Sequence, residues 1–205
     1  MQTSFDIRPT PMAGLVILTM KQIGDGRGTI RELFRESALS DAGLSGGPWR
    51  QINVTETRRG AIRGLHSETV TKLVTVVAGE AFGVYLDLRP DSGTRGTVVT
   101  VTIRPGTQVF VPPGVCSGFQ AVGTGATQYV YCADQEWTPH LSTMAVHPFD
   151  PALAVSWPVA IDPADPAVLS AKDASAPFLS AGHPSITVYG LGTLEVETPG
   201  APLLI

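Results

Sequence analysis

The chain has 205 residues, of which 43% are hydrophobic, and a formal net charge of -4 at pH 7. This length and hydrophobic content suit a single globular domain over residues 1–205 and require no second one. The negative charge argues against nucleic-acid binding and a membrane-surface role, and no stretch reaches the roughly 18 apolar residues of a membrane span. The chain starts without a secretory leader pattern, so we expect a cytoplasmic protein that acts on small molecules.

The residue usage favours a β-rich fold with reduced cysteines. The chain contains 17 Pro and 22 Gly, together with many short runs of Val, Ile, Thr and Leu. Cys116 and Cys132 are the only cysteines, and their spacing fits neither a zinc site nor a redox motif. We therefore expect two free thiols in a reducing compartment.

The first fifty residues predict two strands and a short helix. Residues 14–19 predict a strand, the glycine-rich segment 24–28 predicts a turn, and residues 29–34 predict a second strand. The polar stretch 37–43 predicts a short helix, and the Gly-Gly-Pro sequence at 46–48 ends this part of the pattern.

Strands then follow in quick succession between residues 50 and 132. We predict them at 51–54, 61–66, 72–77, 81–88, 96–103, 108–111 and 127–132. Short antiparallel strands at this spacing suggest a barrel or jelly roll. The segment 74–87, with Gly79 at its turn, resembles the central hairpin of the cupin-type double-stranded β-helix. The predicted fold is therefore mainly β, a cupin-like jelly roll with short peripheral helices.

The last third of the chain has fewer periodic runs and is richer in Pro, Ala and Asp. It predicts a wrapping segment with short helical turns at 163–173 and a possible extra strand at 186–189. Residues 181–205 form a C-terminal extension to which the sequence assigns no role.

His66 and Lys72 lie on neighbouring predicted strands and suggest a particular chemistry. Histidine can take a proton from carbon near neutral pH, and a lysine ammonium can stabilise the oxyanion that forms when that carbon lies beside a ketone. A lone histidine in a strand is more often structural, so this pair needs support from other segments. His66 has no neighbouring His, and we expect neither a metal site nor a cofactor.

Several separated motifs supply that support. They are the segments 24–28 with Glu32, 51–53, 62–66, 72–74, 111–114 with Gly118 and Phe119, Tyr131 with Trp137 and Pro139, and 169–177. In this order, over residues 14–180, they resemble the dTDP-4-dehydrorhamnose 3,5-epimerases of deoxysugar biosynthesis.

The resemblance implies an isomerase that needs no cofactor. His66 would be the general base, Asp173 its dyad partner, Lys72 the group that stabilises the enolate oxygen, and Tyr131 the opposing acid. The reaction needs these residue types, because inversion requires a proton to leave one face of the sugar and another to arrive on the opposite face. Asp87 would support the tyrosine or the lysine.

The resemblance also implies a set of substrate-binding residues. Arg63 would bind the diphosphate, because a guanidinium can donate two parallel hydrogen bonds to phosphate oxygens. Others would contact the nucleotide side or the sugar, namely Arg27, Glu32, Gln51, Asn53, Ser117 and Trp137.

Two features differ from many members of that family. Only residues 67–71 separate His66 from Lys72, as in a short-loop subgroup that carries an acidic residue at the position of Glu68. Ser117 stands where many members have a pocket histidine, and the smaller side chain could change which carbon is inverted.

We therefore expect an epimerase that inverts C3, C5 or both in dTDP-4-keto-6-deoxyglucose. The alternatives are a single-centre epimerase of an antibiotic deoxysugar pathway and a non-catalytic cupin that binds a nucleotide sugar. The resemblance further implies a homodimer in which an N-terminal strand of each chain contributes to the neighbouring barrel.

Overall fold

The computed structural model of the protein describes residues 2–44, 46–179 and 183–192. The strands are β1 (Gln2–Thr3), β2 (Asp6–Pro9), β3 (Val16–Thr19), β4 (Gln22–Asp25), β5 (Gly28–Arg31), β6 (Gln51–Thr57), β7 (Ile62–Glu68), β8 (Lys72–Ala78), β9 (Ala81–Leu86), β10 (Thr97–Ile103), β11 (Thr107–Val111), β12 (Cys116–Ala121), β13 (Thr127–Ala133), β14 (Ser142–Ala145) and β15 (Thr187–Leu191). The helices are α1 (Glu36–Asp41) and α2 (Ala171–Ala174), with single 3₁₀ turns at Pro139–Leu141 and Pro151–Leu153.

Two six-stranded sheets form the body of the fold. One has the order β14-β7-β12-β9-β10-β15 and the other the order β2-β3-β11-β8-β13-β6. Neighbouring named strands are antiparallel, apart from β15, which runs parallel to β10. Strands β1, β4 and β5 form a separate three-stranded sheet. The prediction of a mainly β, cupin-like jelly roll with short helices is confirmed.

The burial of each strand follows its place in a sheet. The central strand β11 is buried along its whole length, and its side chains are mostly apolar because neither face meets water. The edge strand β6 instead alternates between half-buried and exposed residues. Its half-buried side chains, those of Gln51, Asn53 and Thr55, line a cavity, whereas Ile52 and Val54 are exposed.

The main apolar core draws side chains from both sheets. The largest buried cluster includes Ile17, Val74 and Val109 from one sheet and Val99 from the other. The rings of Phe119 and Tyr129 stack at 4.0 Å with an angle of 8° between their planes. Because both rings also line the cavity, the core forms its floor.

Most predicted elements lie close to their predicted positions, and the differences are local. Residues 29–34 were predicted as one strand, but β5 ends at Arg31 and forms a hairpin with β4. The predicted strand at 186–189 is present as β15, so residues 183–192 of the C-terminal extension cover the outer edge of β10. The rest of that extension lies outside the described residues.

Asp87 follows β9 and has a structural role instead of the predicted one. Its fully buried carboxylate accepts hydrogen bonds from Arg89 at 2.8 Å, Ser92 at 2.6 Å and Thr94 at 2.7 Å. Burial raises the pKa of Asp87, but these hydrogen bonds outweigh it and lower the pKa to about 2. The carboxylate therefore fixes the loop after β9, and the prediction that it supports the tyrosine or the lysine is wrong.

Candidate active site

A cavity of about 630 Å³ opens between the two large sheets. All four predicted catalytic residues line it, together with most of the predicted binding residues: His66, Lys72, Tyr131, Asp173, Gln51, Asn53, Arg63, Ser117 and Trp137. A cavity of this size suits a ligand of the size of a sugar nucleotide fragment.

His66 and Asp173 form a hydrogen-bonded pair at the cavity wall. Nε2 of His66 lies 2.6 Å from Oδ1 of Asp173, and the aspartate side chain is 6% exposed. Burial raises the pKa of Asp173, but the hydrogen bond and the charge interaction with His66 outweigh it, so the pKa lies below the ordinary value. An ionised carboxylate that accepts the Nε2 proton leaves Nδ1 of the ring with a lone pair for proton abstraction.

Local structure brings Asp173 to a histidine 107 residues away. Ile62 and Leu169 form a parallel bridge that holds the wrapping segment against β7. The side chain of Ser170 then caps α2 by accepting a hydrogen bond of 3.1 Å from the backbone N–H of Asp173. The aspartate is thereby fixed in the first turn of α2, pointing at His66.

Two glycines allow β7 and β12 to approach closely beside the site. A Cβ atom at Gly64 would lie 2.7 Å from Cα of Gly118, and one at Gly118 would lie 2.6 Å from the carbonyl oxygen of Arg63. Gly64 also has a φ of +112°, which residues with a side chain rarely adopt. The strand register shifts here and sets His66 opposite Ser117.

Lys72 reaches into the cavity from β8 in the opposite sheet. Its Nζ donates hydrogen bonds to Oε2 of Glu68 at 3.1 Å and to Oγ of Ser117 at 2.9 Å. The side chains of Lys72 and Glu68 are 10% and 19% exposed. A lysine ammonium has three N–H donors, so one remains for a substrate oxygen.

Tyr131 lies in β13, in the same sheet as Lys72 and across the cavity from His66. Burial raises its pKa above the ordinary value, and the negative charge of Glu68 adds to this increase. The positive charge of Arg63 and a hydrogen bond with Asn53 lower the pKa of Tyr131, but by less than burial and Glu68 raise it. The phenol is therefore protonated at neutral pH and can act as a proton donor.

The outer part of the cavity carries polar and cationic groups. Nε of Arg63 donates a hydrogen bond of 3.0 Å to the hydroxyl of Thr57, which lies on the neighbouring sheet. The side-chain oxygen of Gln51 accepts a hydrogen bond of 2.6 Å from the backbone of Trp137, whose ring is largely exposed. These groups offer a cation, an amide and an aromatic face to a ligand.

Arg27 and Glu32 do not line the cavity of their own chain. Arg27 lies in the β4–β5 hairpin and pairs with Asp25 at 2.6 Å, and its side chain is 90% exposed. Glu32 pairs with Arg35. Their predicted role in nucleotide binding stays a prediction.

Sequence reasoning did not assign a site role to Glu68, which it interpreted only as part of a short loop. Strand β7 continues to this residue, so its side chain lines the cavity beside Lys72. The acidic residue that the short-loop subgroup carries at the position of Glu68 was the available signal.

Two further properties concern ligands and membranes. Among the described residues, no group of three or more His, Cys, Asp or Glu side chains could hold a metal ion. In the same part of the chain, no helix is long and apolar enough to cross a membrane.

A cupin-like barrel whose cavity combines a histidine–carboxylate pair with a lysine and a tyrosine suits proton transfer beside a ketone, which is the chemistry of an isomerase. The model of the family dTDP-4-dehydrorhamnose 3,5-epimerase matches residues 9–181. The chain belongs to this family of nucleotide-sugar epimerases, as its motifs indicated.

Individual relatives include 3,5-epimerases and a 3-epimerase. The chain is 31% identical over 173 residues to a dTDP-4-dehydrorhamnose 3,5-epimerase of Neisseria gonorrhoeae, covering 82% of this chain and 51% of the relative. It thus spans about half the length of that relative. It is 30% identical over 204 residues to a dTDP-4-dehydrorhamnose 3-epimerase of Streptomyces niveus, covering 96% of this chain and 94% of the relative.

A solved structure supports the fold. The dTDP-6-deoxy-D-glucose-3,5-epimerase of Legionella pneumophila, in complex with dTDP-4-keto-L-rhamnose, superposes with a TM-score of 0.77 at 30% identity. The match covers 85% of this chain and 93% of that structure.

Proposed function

We propose that this chain epimerises dTDP-4-keto-6-deoxyglucose at C3, C5 or both, by proton transfer beside the C4 ketone. The observation that carries the proposal is the placement of His66 with Asp173 in one wall of the cavity and of Tyr131 in the facing sheet. A base and an acid on opposite sides of a sugar ring are what inversion of a carbon centre requires.

Each of the four proposed catalytic residues has its own step in the reaction. Nδ1 of His66 removes the proton from the carbon beside the ketone, and the electron pair of that C–H bond moves to form an enolate on the C4 oxygen. Asp173 stabilises the imidazolium that results. Lys72 donates its third N–H to the enolate oxygen, where a cation in a water-poor cavity contributes several kcal/mol. Tyr131 then gives its proton to the carbon from the other face.

We also propose how the nucleotide is held. Arg63 offers a guanidinium for the diphosphate, and Gln51, Asn53 and Trp137 line the same cavity, where they would contact the nucleotide. These assignments are supported by the position of each side chain and by the dTDP-sugar bound to the Legionella relative.

We propose a homodimer in which the β4–β5 hairpin of one chain reaches the cavity of the other. Support comes from Ile23 and Ile30 in that hairpin, which are 50% and 75% exposed, and from Ile52 and Val54 on β6, which are 63% and 59% exposed. Such a set of apolar side chains is costly to leave in water and suits a second copy. Arg27 and Glu32 would then reach the partner's ligand.

Two general expectations are proposed in the same way. We propose that residues 1–205 form one domain, because strands distant in sequence pair within each sheet, as β3 does with β11 and β10 with β15. We propose a cytoplasmic location, supported by two cysteines that are free thiols.

A narrower activity is the second candidate. Inversion at C3 alone is supported by the 30% identity to the 3-epimerase of Streptomyces niveus over nearly the whole chain. It is also supported by Ser117, which stands where many family members have a pocket histidine. Its small hydroxyl accepts a hydrogen bond from Lys72, so it offers the sugar different contacts.

The test is to determine the stereochemistry of the product. The protein is incubated with dTDP-4-keto-6-deoxyglucose, the ketosugar is trapped by a 4-ketoreductase, and the alcohol is identified by NMR. Inversion at both C3 and C5 gives an L-sugar whose C3 is also inverted, inversion at C5 alone gives an L-sugar with the original configuration at C3, and inversion at C3 alone gives a D-sugar, which indicates the narrower activity. Recovery of the unchanged sugar, with binding of the nucleotide retained, would identify a non-catalytic binding protein.

A further inference from the structure

We propose that Glu68 is a specificity-determining residue that accepts a hydrogen bond from the sugar hydroxyl on the carbon next to the ketone. With Lys72 it would form a recognition pair for an α-hydroxyketone. The inference rests on the proposed function, because it names the part of the sugar that the same cavity recognises.

Lys72 and Glu68 form an ion pair that leaves hydrogen-bonding capacity on both side chains. Nζ of Lys72 gives two of its three protons to Glu68 and Ser117, at 3.1 Å and 2.9 Å. Among the described residues, only Lys72 donates a hydrogen bond to the Glu68 carboxylate, and the oxygen that accepts it is Oε2. A carboxylate can accept several hydrogen bonds, so Oε1 remains available in the cavity.

The ion pair of Lys72 and Glu68 is complementary to an α-hydroxyketone. In such a group the ketone oxygen accepts a hydrogen bond, and the hydroxyl on the adjacent carbon donates one. Oxygens on adjacent carbons lie about as far apart as the two atoms of a hydrogen bond. Lys72 and Glu68 present a donor and an acceptor whose atoms are 3.1 Å apart. This pair therefore has the polarity and the spacing that complement the two oxygens of an α-hydroxyketone.

The chemistry of the substrate then selects one hydroxyl. Beside the C4 ketone, C3 carries a hydroxyl, whereas C5 carries a methyl group and the ring oxygen and offers no donor. If Lys72 binds the C4 oxygen, the neighbouring carboxylate meets the C3 hydroxyl. Glu68 therefore favours ketosugars that have a hydroxyl at C3 and fixes which side of the ketone faces this wall.

The backbone of Glu68 is fixed independently of its side chain. Its carbonyl accepts a hydrogen bond of 2.8 Å from Gly114, and the residue pairs with Ser142 of β14. A carboxylate that is 19% exposed is costly to desolvate, even beside a lysine. A substrate hydroxyl supplies the further hydrogen bond that such a group needs.

The experiment compares two substrates in four proteins. The substrates are dTDP-4-keto-6-deoxyglucose and its 3-deoxy analogue, and the proteins are wild type, Glu68→Ala, Glu68→Gln and Glu80→Gln. Glu80 pairs with Arg104 at 2.7 Å at the surface and is the matched control. The readout is kcat/KM for deuterium uptake from solvent at the exchanging carbon, measured by NMR.

The ratio of kcat/KM values for the two substrates isolates the contact. Loss of a hydrogen bond to a charged group lowers kcat/KM of Glu68→Ala for the hydroxylated substrate about 10- to 100-fold more than for the 3-deoxy analogue. Glu68→Gln keeps a neutral acceptor, so its ratio changes less. Glu80→Gln keeps the wild-type ratio.

Two outcomes would overturn the inference, and they can be told apart. An equal loss on both substrates in Glu68→Ala and Glu68→Gln would mean that Glu68 only orients Lys72. Absence of exchange by the wild-type protein on either substrate would refute the proposed function and this inference with it. If Glu68→Ala does not fold, the ratio of Glu68→Gln decides.

Discussion

Replacement of Asp173 by Asn tests the histidine–carboxylate pair, since it keeps the shape of the side chain and removes its charge. The carboxylate lies 2.6 Å from Nε2 of His66, and the charge centres of a carboxylate and an imidazolium at that contact are roughly 4 Å apart. With an effective dielectric constant of about 20, their attraction is about 4 kcal/mol. The partial exposure of His66, 28%, reduces this to about 3 kcal/mol.

This attraction stabilises the imidazolium that forms when the proton leaves carbon. Its loss is expected to lower kcat about 10²-fold, since each 1.4 kcal/mol corresponds to a factor of ten. The assay is the initial rate of deuterium uptake into dTDP-4-keto-6-deoxyglucose, with KM measured in parallel. Asp150→Asn is the control, because Asp150 is also buried and binds the backbone of Ala152 and Leu179 away from the cavity.

The control is expected to lose stability and keep its kcat. A kcat of Asp173→Asn within threefold of the wild-type value would refute the assignment of Asp173 as the partner of the base.

Three further substitutions test other parts of the account. Tyr131→Phe removes the proposed acid, so deuterium exchange should continue while inversion falls about 10²-fold or more; equal loss of both would contradict this role. Asp87→Asn should lower the free energy of unfolding by about 2 kcal/mol at pH 7, because the native pKa of Asp87 is about 2 against an ordinary 3.8. That stability is present above pH 3.8 and lost as the pH falls towards 2, so parallel acid-unfolding curves of both proteins would contradict the network around Asp87. Gly64→Ala places a Cβ 2.7 Å from backbone atoms of β12, and urea unfolding should show a loss of about 3 kcal/mol; an unchanged midpoint would refute the close approach of β7 and β12.

The sequence predicted the fold best where strands have regular apolar patterns. Strands β8 and β10 are rich in Val, Ile and Thr, and their predicted bounds lie within a few residues of those observed. Strand β12 was not predicted, because Ser117 and Gly118 interrupt the apolar alternation. Its pairing depends on the close approach of two backbones, which no local pattern reveals.

The placement of the site residues depended on contacts distant in sequence. His66 and Asp173 are 107 residues apart, so only the resemblance to a family suggested that they meet. The structure brings them together through the Ile62–Leu169 bridge and the Ser170 cap. Sequence reasoning overlooked Glu68 because it treated the residue as part of a loop, whereas β7 extends to it.

Proton abstraction by His66 is tested most directly by proton NMR of dTDP-4-keto-6-deoxyglucose in deuterated water with catalytic amounts of wild-type protein or His66→Asn. We expect wild type to replace the proton at C3, C5 or both with deuterium, and His66→Asn to do so at least about 10²-fold more slowly. Equal exchange rates in the two proteins would show that another group is the base, and no exchange in either would contradict an epimerase acting on this sugar.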